Sequence, residues 1–294
     1  MRCWLLAAPL QAMAWVVARL PQRLALSLGR ALAWLLRPLL RSRRRIAAIN
    51  IALCFPDLDA RAQRRLVEAN VTHTVIGALE LVRAWHAPAA VLRDQCRIEG
   101  LAHLQAALAQ GRGVLLVTAH FIPYELALRL LGDALGRRVR LVAREHNNAC
   151  LQAWIEASRR RVSGPTLPKK RGREPLLAAL RAGEVVGYLA DQDFSYRHVF
   201  VPFFGVPAAT LTAMPELVQA SGAAALPFWF WRGDDGRYVL RIEPAWSGWP
   251  GGDPAQDAAR YMAELEAAVR EAPAQYLWVH RRFKTRPPGE PPLY

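Results

Sequence analysis

Apolar positions along the chain change their rhythm near residue 98. Before it they come in runs of helical length. Residues 3–18, CWLLAAPLQAMAWVVA, carry no charge and are followed by Arg19, Pro21 and Arg23. A helix crossing a bilayer core needs about 20 apolar residues, with about 17 as a lower limit. This segment therefore either just spans, with Arg2 and Arg19 snorkelling, or lies in the interface. The next run, 24–40, sets Arg30 and Arg37 seven residues apart, near one helical face, and reads as an amphipathic helix lying on a surface. NIALCFPDLD, from residue 50, turns at Pro56, and a helix is expected from about Arg61 to Trp85.

From Ile98 onward, short β-rich runs alternate with amphipathic helices. Strands are expected at 113–118, 138–143 and 184–190, interleaved with helices after Pro123, from about Asn147 to Arg161, and ending near Ala182. Such alternation predicts a mostly parallel sheet covered on both faces. AALPFWFWRG and RYVLRIE, joined through Asp234-Asp235-Gly236, read as a hairpin that adds antiparallel strands. A final helix runs from about Pro254 to Glu271, and the Pro-rich tail beyond it cannot continue it. The expected architecture is α/β. A mixed, mostly parallel sheet covered by helices forms a catalytic unit at 46–294, behind an N-terminal membrane-associating helical region at 1–45.

Composition narrows the partners. With 53% hydrophobic and 21% charged residues and ten Trp over 294 positions, the chain is not a disordered one. Lys plus Arg number 39 against 24 acids, a formal charge of +15, which calls for an acidic partner: nucleic acid, anionic lipid or an acidic protein. Lys169, Lys170 and Lys284 are the lysines, so 36 of these cations are arginines, whose planar forks suit phosphate and carboxylate. A nucleic-acid binder lacks its motif here, with no zinc finger, RNP sequence or homeodomain-like segment. The block Arg41, Arg43, Arg44 and Arg45 after two apolar segments points to the cytoplasmic side of a membrane. Against that stands a secretory-signal reading, since Ala12-Met13-Ala14 mimics a cleavage site. Cys3, Cys54, Cys96 and Cys150 lie far apart, suggest neither a zinc site nor a disulfide framework, and are expected to be reduced thiols. No metal or cofactor is expected.

GVLLVTAHFIPYEL places His120 just past the carboxyl end of a buried strand and Glu125 in the first turn of the next helix. Open α/β sheets bind ligands in the crevice beyond such ends. A five-residue spacing lets the carboxylate turn back, hold one ring nitrogen and leave the other free as a base. A His-x4-Glu pair alone also arises by chance, as a loop histidine satisfied locally. No G-x-S-x-G elbow and no cysteine in a comparable turn supplies a nucleophile, which favours direct attack by a substrate hydroxyl.

Four blocks add a resemblance: NIALCFP (50–56), the His120/Glu125 block, DQDFSYRHVFVPFFGVPAAT (191–210) and QYLWVHRRFKTRPPGE (275–290). Together they resemble the late acyltransferases of lipid A biosynthesis, the lauroyl and myristoyl transferases of Gram-negative bacteria, in order and over nearly the whole chain. The likeness implies a glycerolipid acyltransferase-like fold and catalytic His120 and Glu125. It also implies an acyl carrier protein donor, a hydroxyl of an anionic lipid A precursor as acceptor, and a place on the cytoplasmic face of the inner membrane. Arg144 and Asn148 match an Arg-Pro-x-x-Asn type segment, with Glu145 for the usual Pro and Ala143 for the usual aromatic. With Arg159, Asp191 and Asp193 they become expected substrate-binding residues; the two aspartates lack the further carboxylates a metal would want. His198 and His280 are expected to be structural. Val199 to Phe204, with Trp229 and Trp231, either line an acyl-chain groove or form core. The acceptor could also be another bacterial glycolipid or aminolipid, or water, as in a thioesterase.

Overall fold

A computed structural model describes residues 2–168 and 172–294. Four helices lead: α1 (Arg2–Arg19), α2 (Gln22–Leu36), α3 (Arg41–Cys54) and α4 (Ala60–His86). Asp59 caps α4, its carboxylate accepting the Ala62 N–H at 2.7 Å. Ala25, Gly29 and Ala33 recur every four residues and form the buried stripe of α2. Their small size brings α2 against α4; a Cβ on Gly29 would lie 2.6 Å from the Ile76 side chain.

These helices make side-chain contacts with one another and with the sheet. The fully buried Arg83 of α4 donates to the Leu20 carbonyl at 2.6 Å, pinning the turn between α1 and α2. Gln22 reaches the hydroxyl of Tyr238 at 2.8 Å and the carbonyl of Gly236 at 3.1 Å. The division expected after residue 45 falls inside α3. That helix is not read from the sequence because its first turn is the arginine block, whose charges look like a membrane flank rather than a helix start. Among the described residues, no helix is long and apolar enough to cross a membrane.

The remaining elements are α5 (Ala89–Leu92), β1 (Cys96–Glu99), α6 (Leu101–Ala109), β2 (Val114–Thr118), α7 (Tyr124–Leu135), β3 (Val139–Ala143), α8 (Ala149–Val162), β4 (Leu167–Pro168), α9 (Glu174–Arg181), β5 (Val185–Leu189), β6 (His198–Phe203), β7 (Val206–Leu211), α10 (Ala213–Ser221), β8 (Ala224–Arg232), β9 (Tyr238–Ile242) and α11 (Pro254–Glu271). Seven strands form one sheet in the order β1-β9-β8-β2-β5-β3-β4. Its pairings are parallel except at the β8–β9 hairpin, so the sheet is mixed and mostly parallel, as expected. Every residue of β2 is buried, which is why Val114-Leu115-Leu116-Val117 is a continuous apolar run rather than an alternating one. Burying each of those side chains contributes about 1.5–3 kcal/mol, an upper estimate.

β6 and β7 form a separate antiparallel hairpin. Phe204 and Gly205 both have positive φ at its tip, the geometry of a two-residue turn that matches strand twist. Val201 and Phe203 point inward, and Phe203 stacks on Trp278 with ring centroids 6.2 Å apart. Val201, Phe203 and Phe204, like Trp229, are core, whereas Val199, Phe200 and Trp231 are half-buried and Pro202 is exposed. Cys54 and Cys96 are free, but Cys150 is disulfide-bonded, which corrects the expectation of reduced thiols throughout.

Candidate active site

β2 and β5 pair in parallel with Thr118 opposite Leu189. Two residues past that pair stand His120 and Asp191, one on each strand's exit. Asp191 takes both hydrogens His120 offers: the backbone N–H at 3.0 Å and ring Nδ1 at 2.6 Å. An Nδ1–H donor leaves Nε2 as the unprotonated nitrogen, a tautomer assigned from this contact. Asp191 is 2% exposed. Burial works to raise its carboxyl, yet the His120 ring and the backbone N–H hold it below the usual range. Burial lifts the hydroxyls of Tyr261 and Tyr276, and Asp191 lifts them further, so both stay neutral beside it.

Glu125 does not hold His120. Among the described residues no hydrogen bond joins the two. The Glu125 carboxylate instead takes Nη2 of Arg159 at 2.5 Å, Nε of Arg159 at 3.2 Å, the Trp85 indole at 2.5 Å and the Tyr124 hydroxyl at 2.8 Å. Glu125 lies in the first turn of α7, and its carboxylate is taken up by Trp85 of α4 and Arg159 of α8 rather than by the ring on the preceding loop. Arg159 is correspondingly neither a solvated helix arginine nor a free phosphate fork. It is 8% exposed, and both of its donor edges used here face Glu125. Burial disfavours its cation, but the Glu125 contacts outweigh that and raise its pKa.

The other expected binding residues have structural partners. Asn148 caps α8 by accepting the Leu151 N–H at 3.0 Å. Asp193 clasps the C-terminal segment, accepting the N–H and the hydroxyl of Thr285, each at 2.9 Å. His280, whose pKa burial lowers, accepts the Asp193 N–H at 3.1 Å and is structural as expected. Asn50 donates to the carbonyls of Trp278 and His280, both at 2.7 Å, which joins the 50–56 and 275–290 blocks. Arg144 and Asn148 are the exposed members of the set, and Arg144 makes one contact, to Asn147 at 3.3 Å. Trp85 and Tyr124 are site residues the sequence did not single out; the Pro-Tyr-Glu run offered Tyr124, whereas nothing local pointed to Trp85.

Two crevices meet at His120 and Tyr124. One, of about 210 Å³, is apolar and lies between α4 and the start of α7, with Gly77, Ala78, Leu81, Ile122 and Leu126 in its walls. The other, of about 260 Å³, is bounded by Arg144, Arg159, Tyr188, Gln192 and Phe194. Among the described residues no three His, Cys, Asp or Glu side chains converge to hold a metal.

A covered, mostly parallel sheet with a carboxylate-held histidine at its strand exits, flanked by a hydrocarbon-like and a cationic crevice, is the layout of an α/β acyl-transfer enzyme. Residues 2–285 match the family described as bacterial lipid A biosynthesis acyltransferase, and the chain belongs to that family and is an acyltransferase. It is 35% identical over 284 residues to the lipid A biosynthesis palmitoleoyltransferase of Escherichia coli, covering 95% of this chain and 91% of that one. It is 34% identical over 288 residues to the lauroyltransferase of the same organism (95% and 92%), and 27% identical over 254 residues to its myristoyltransferase (85% and 78%).

Proposed function

We propose that the protein transfers a fatty acyl chain from acyl carrier protein to a hydroxyl of an anionic lipid A precursor, with His120 as general base. The observation that carries this reading is the Nε2 of His120, left free by Asp191 where the two crevices meet. The acyl chain lies in the apolar crevice, and the acceptor's phosphate-bearing sugar faces Arg144. His120 Nε2 takes the proton of the acceptor hydroxyl as its oxygen bonds to the thioester carbonyl carbon. The carbon–sulfur bond then breaks, and the imidazolium returns the proton to the departing thiolate. Asp191 stabilises the imidazolium between these steps. Glu125 acts with Arg159 as a positioning pair that fixes α7 against α8 beneath Tyr124, rather than as the partner of His120.

The family supports acyl transfer onto a lipid A precursor. The net charge of +15 suits an acidic carrier protein and a phosphorylated acceptor alike. In this reading residues 1–45 lie on the cytoplasmic face of the inner membrane. Mass spectrometry of purified enzyme with acyl carrier protein thioester and lipid A precursor tests it: one added acyl chain on the precursor is expected. Release of free fatty acid with no acylated glycolipid would replace the reading with a thioesterase.

A further inference from the structure

Ten large hydrophobic side chains are exposed among the described residues, and eight of them, from Met13 to Leu39, belong to α1, α2 and the turn that follows. The inner stripe of α2 already packs on α4. Its outer stripe of Leu24, Leu28 and Leu35, with Trp34 and Leu39 at 75% and 79% exposure, is left uncovered among the described residues. A helix apolar on both sides belongs in hydrocarbon on one of them.

Where α2 ends against α3 and α4, the surface changes to dense positive charge. Arg37, Arg44, Arg45, Arg61, Arg64 and Arg65 ring a cavity of about 670 Å³ whose lining holds one acid, Glu68. Glu68 is occupied by Arg37 at 2.7 Å and by Arg44. Arg45, Arg61, Arg64 and Arg65 are exposed and form no ion pair among the described residues; Asp59, the cap of α4, lies near enough to Arg64 and Arg65 for its carboxyl to be lowered, after the backbone N–H of Ala62, by their charges. Six guanidiniums around one carboxylate repel one another, and folding gains nothing from gathering them. An anion with several acceptor oxygens removes that repulsion.

We propose that this basin and the outer stripe of α2 form one bilayer-docking site: phosphates of anionic phospholipids sit among Arg45, Arg61, Arg64 and Arg65 while Trp34, Leu35 and Leu39 enter the acyl boundary. The charge complementarity and the continuity of the two surfaces through Arg37 select the occupant. Because Arg61, Arg64 and Arg65 sit on α4, whose Trp85 reaches Glu125, the lipid surface would hold the catalytic body itself in a fixed orientation rather than tether it by a leader. The inference deepens the membrane placement proposed above and rests on it. Vesicle binding needs no turnover, so the two can fail separately.

The test is flotation of the full-length protein with vesicles of phosphatidylcholine alone and of phosphatidylcholine mixed with phosphatidylglycerol. Each interfacial arginine strengthens partitioning onto an anionic bilayer about fivefold, so R61Q/R64Q/R65Q should weaken binding to the mixed vesicles about 10²-fold and leave the neutral vesicles unaffected. R61K/R64K/R65K should restore most of it, and W34S/L35S/L39S should weaken both vesicle types. Thermal melts confirm that each variant is folded. An equal loss in R93Q/R138Q/R181Q, which removes the same charge elsewhere, would reduce the effect to net charge and overturn the site. So would displacement by inorganic phosphate beyond that by chloride at equal ionic strength, which would make a free anion the ligand. Unchanged vesicle binding with lost retention on immobilised acyl carrier protein would assign the basin to the carrier protein instead.

Discussion

Asp191 grips His120 twice, at ring Nδ1 and at the backbone N–H, because both residues sit two positions beyond the paired Thr118 and Leu189. The grip fixes ring tautomer and loop together. Replacing His120 by Ala should lower turnover by about 10² to 10⁴-fold with the fold intact. Asp191→Asn should fall in the same range, since an amide can neither select the Nδ1–H tautomer nor stabilise an imidazolium. Near-normal kcat in a folded Asp191→Asn enzyme would remove Asp191 from the mechanism. The lowered Asp191 pKa has a stability consequence of definite sign: its contribution is complete above the unfolded value near 3.9 and is lost as pH falls through the lower folded value. Asp191→Asn should therefore flatten the acid limb of unfolding curves.

The Glu125–Arg159 pair is buried on both sides, with side-chain exposures of 3% and 10%. Removing one member of such a pair leaves an uncompensated charge, so Arg159→Ala should cost about 3–5 kcal/mol of stability. The combination of Arg159→Ala with Glu125→Gln should recover part of that loss. Denaturant titrations across the double-mutant cycle measure the coupling. A mere rise in acceptor KM for Arg159→Ala, with stability unchanged, would return Arg159 to the role of a phosphate ligand.

Arg144, exposed at the cationic crevice, is the residue expected to read the acceptor's phosphate. Arg144→Ala should raise the acceptor KM about tenfold to 150-fold, the loss of one charge-assisted hydrogen bond, and leave the donor KM alone. With a dephosphorylated acceptor the penalty should shrink; the same penalty with both acceptors would mean that Arg144 does not contact phosphate.

Gly77 lies in the wall of the apolar crevice, where an added Cβ would come 2.3 Å from the Ile122 side chain. Gly77→Val should force Ile122 into the cavity and shift transfer toward shorter chains, at a packing cost of about 1–3 kcal/mol. Competition between acyl donors of different length reads the shift directly. An unaltered product distribution in the folded variant would place the chain elsewhere.

His73 is pushed down to about 4 by burial first, then by Arg232 and Arg30. Arg232, paired with the buried Glu80, also donates to its Nδ1, which requires the neutral ring. The unfolded chain takes up this proton near 6.5, so stability is complete above that pH and falls as pH drops toward 4. About 2 kcal/mol should be lost between pH 7 and pH 5. Urea melts of His73→Gln, whose amide oxygen still accepts from Arg232, should show a slope shallower by about one proton, and an unchanged slope would exclude His73 as its source.

The sequence by itself determined several element types from Val114 onward, because apolar period and turn chemistry are local: the β2 run, the Asp-Asp-Gly hairpin and the Pro254–Glu271 helix stand where the pattern puts them, whereas the β6–β7 hairpin and α10 were not read from it. It also placed His120 and Glu125 at a strand exit and a helix start. Which carboxylate meets the histidine was decided only in three dimensions. Chain spacing favoured Glu125 at five residues, whereas strand register brings Asp191 across 71 residues to 2.6 Å, and the packing of α4 and α8 beside α7 gives Glu125 Trp85 and Arg159 as partners. The same holds for Arg159 and Asp193, whose charges read as ligands in sequence and are consumed by internal partners in the fold. A charged residue carries no local mark of its partner, since pairing depends on which distant segment the sheet and helices bring within about 3 Å.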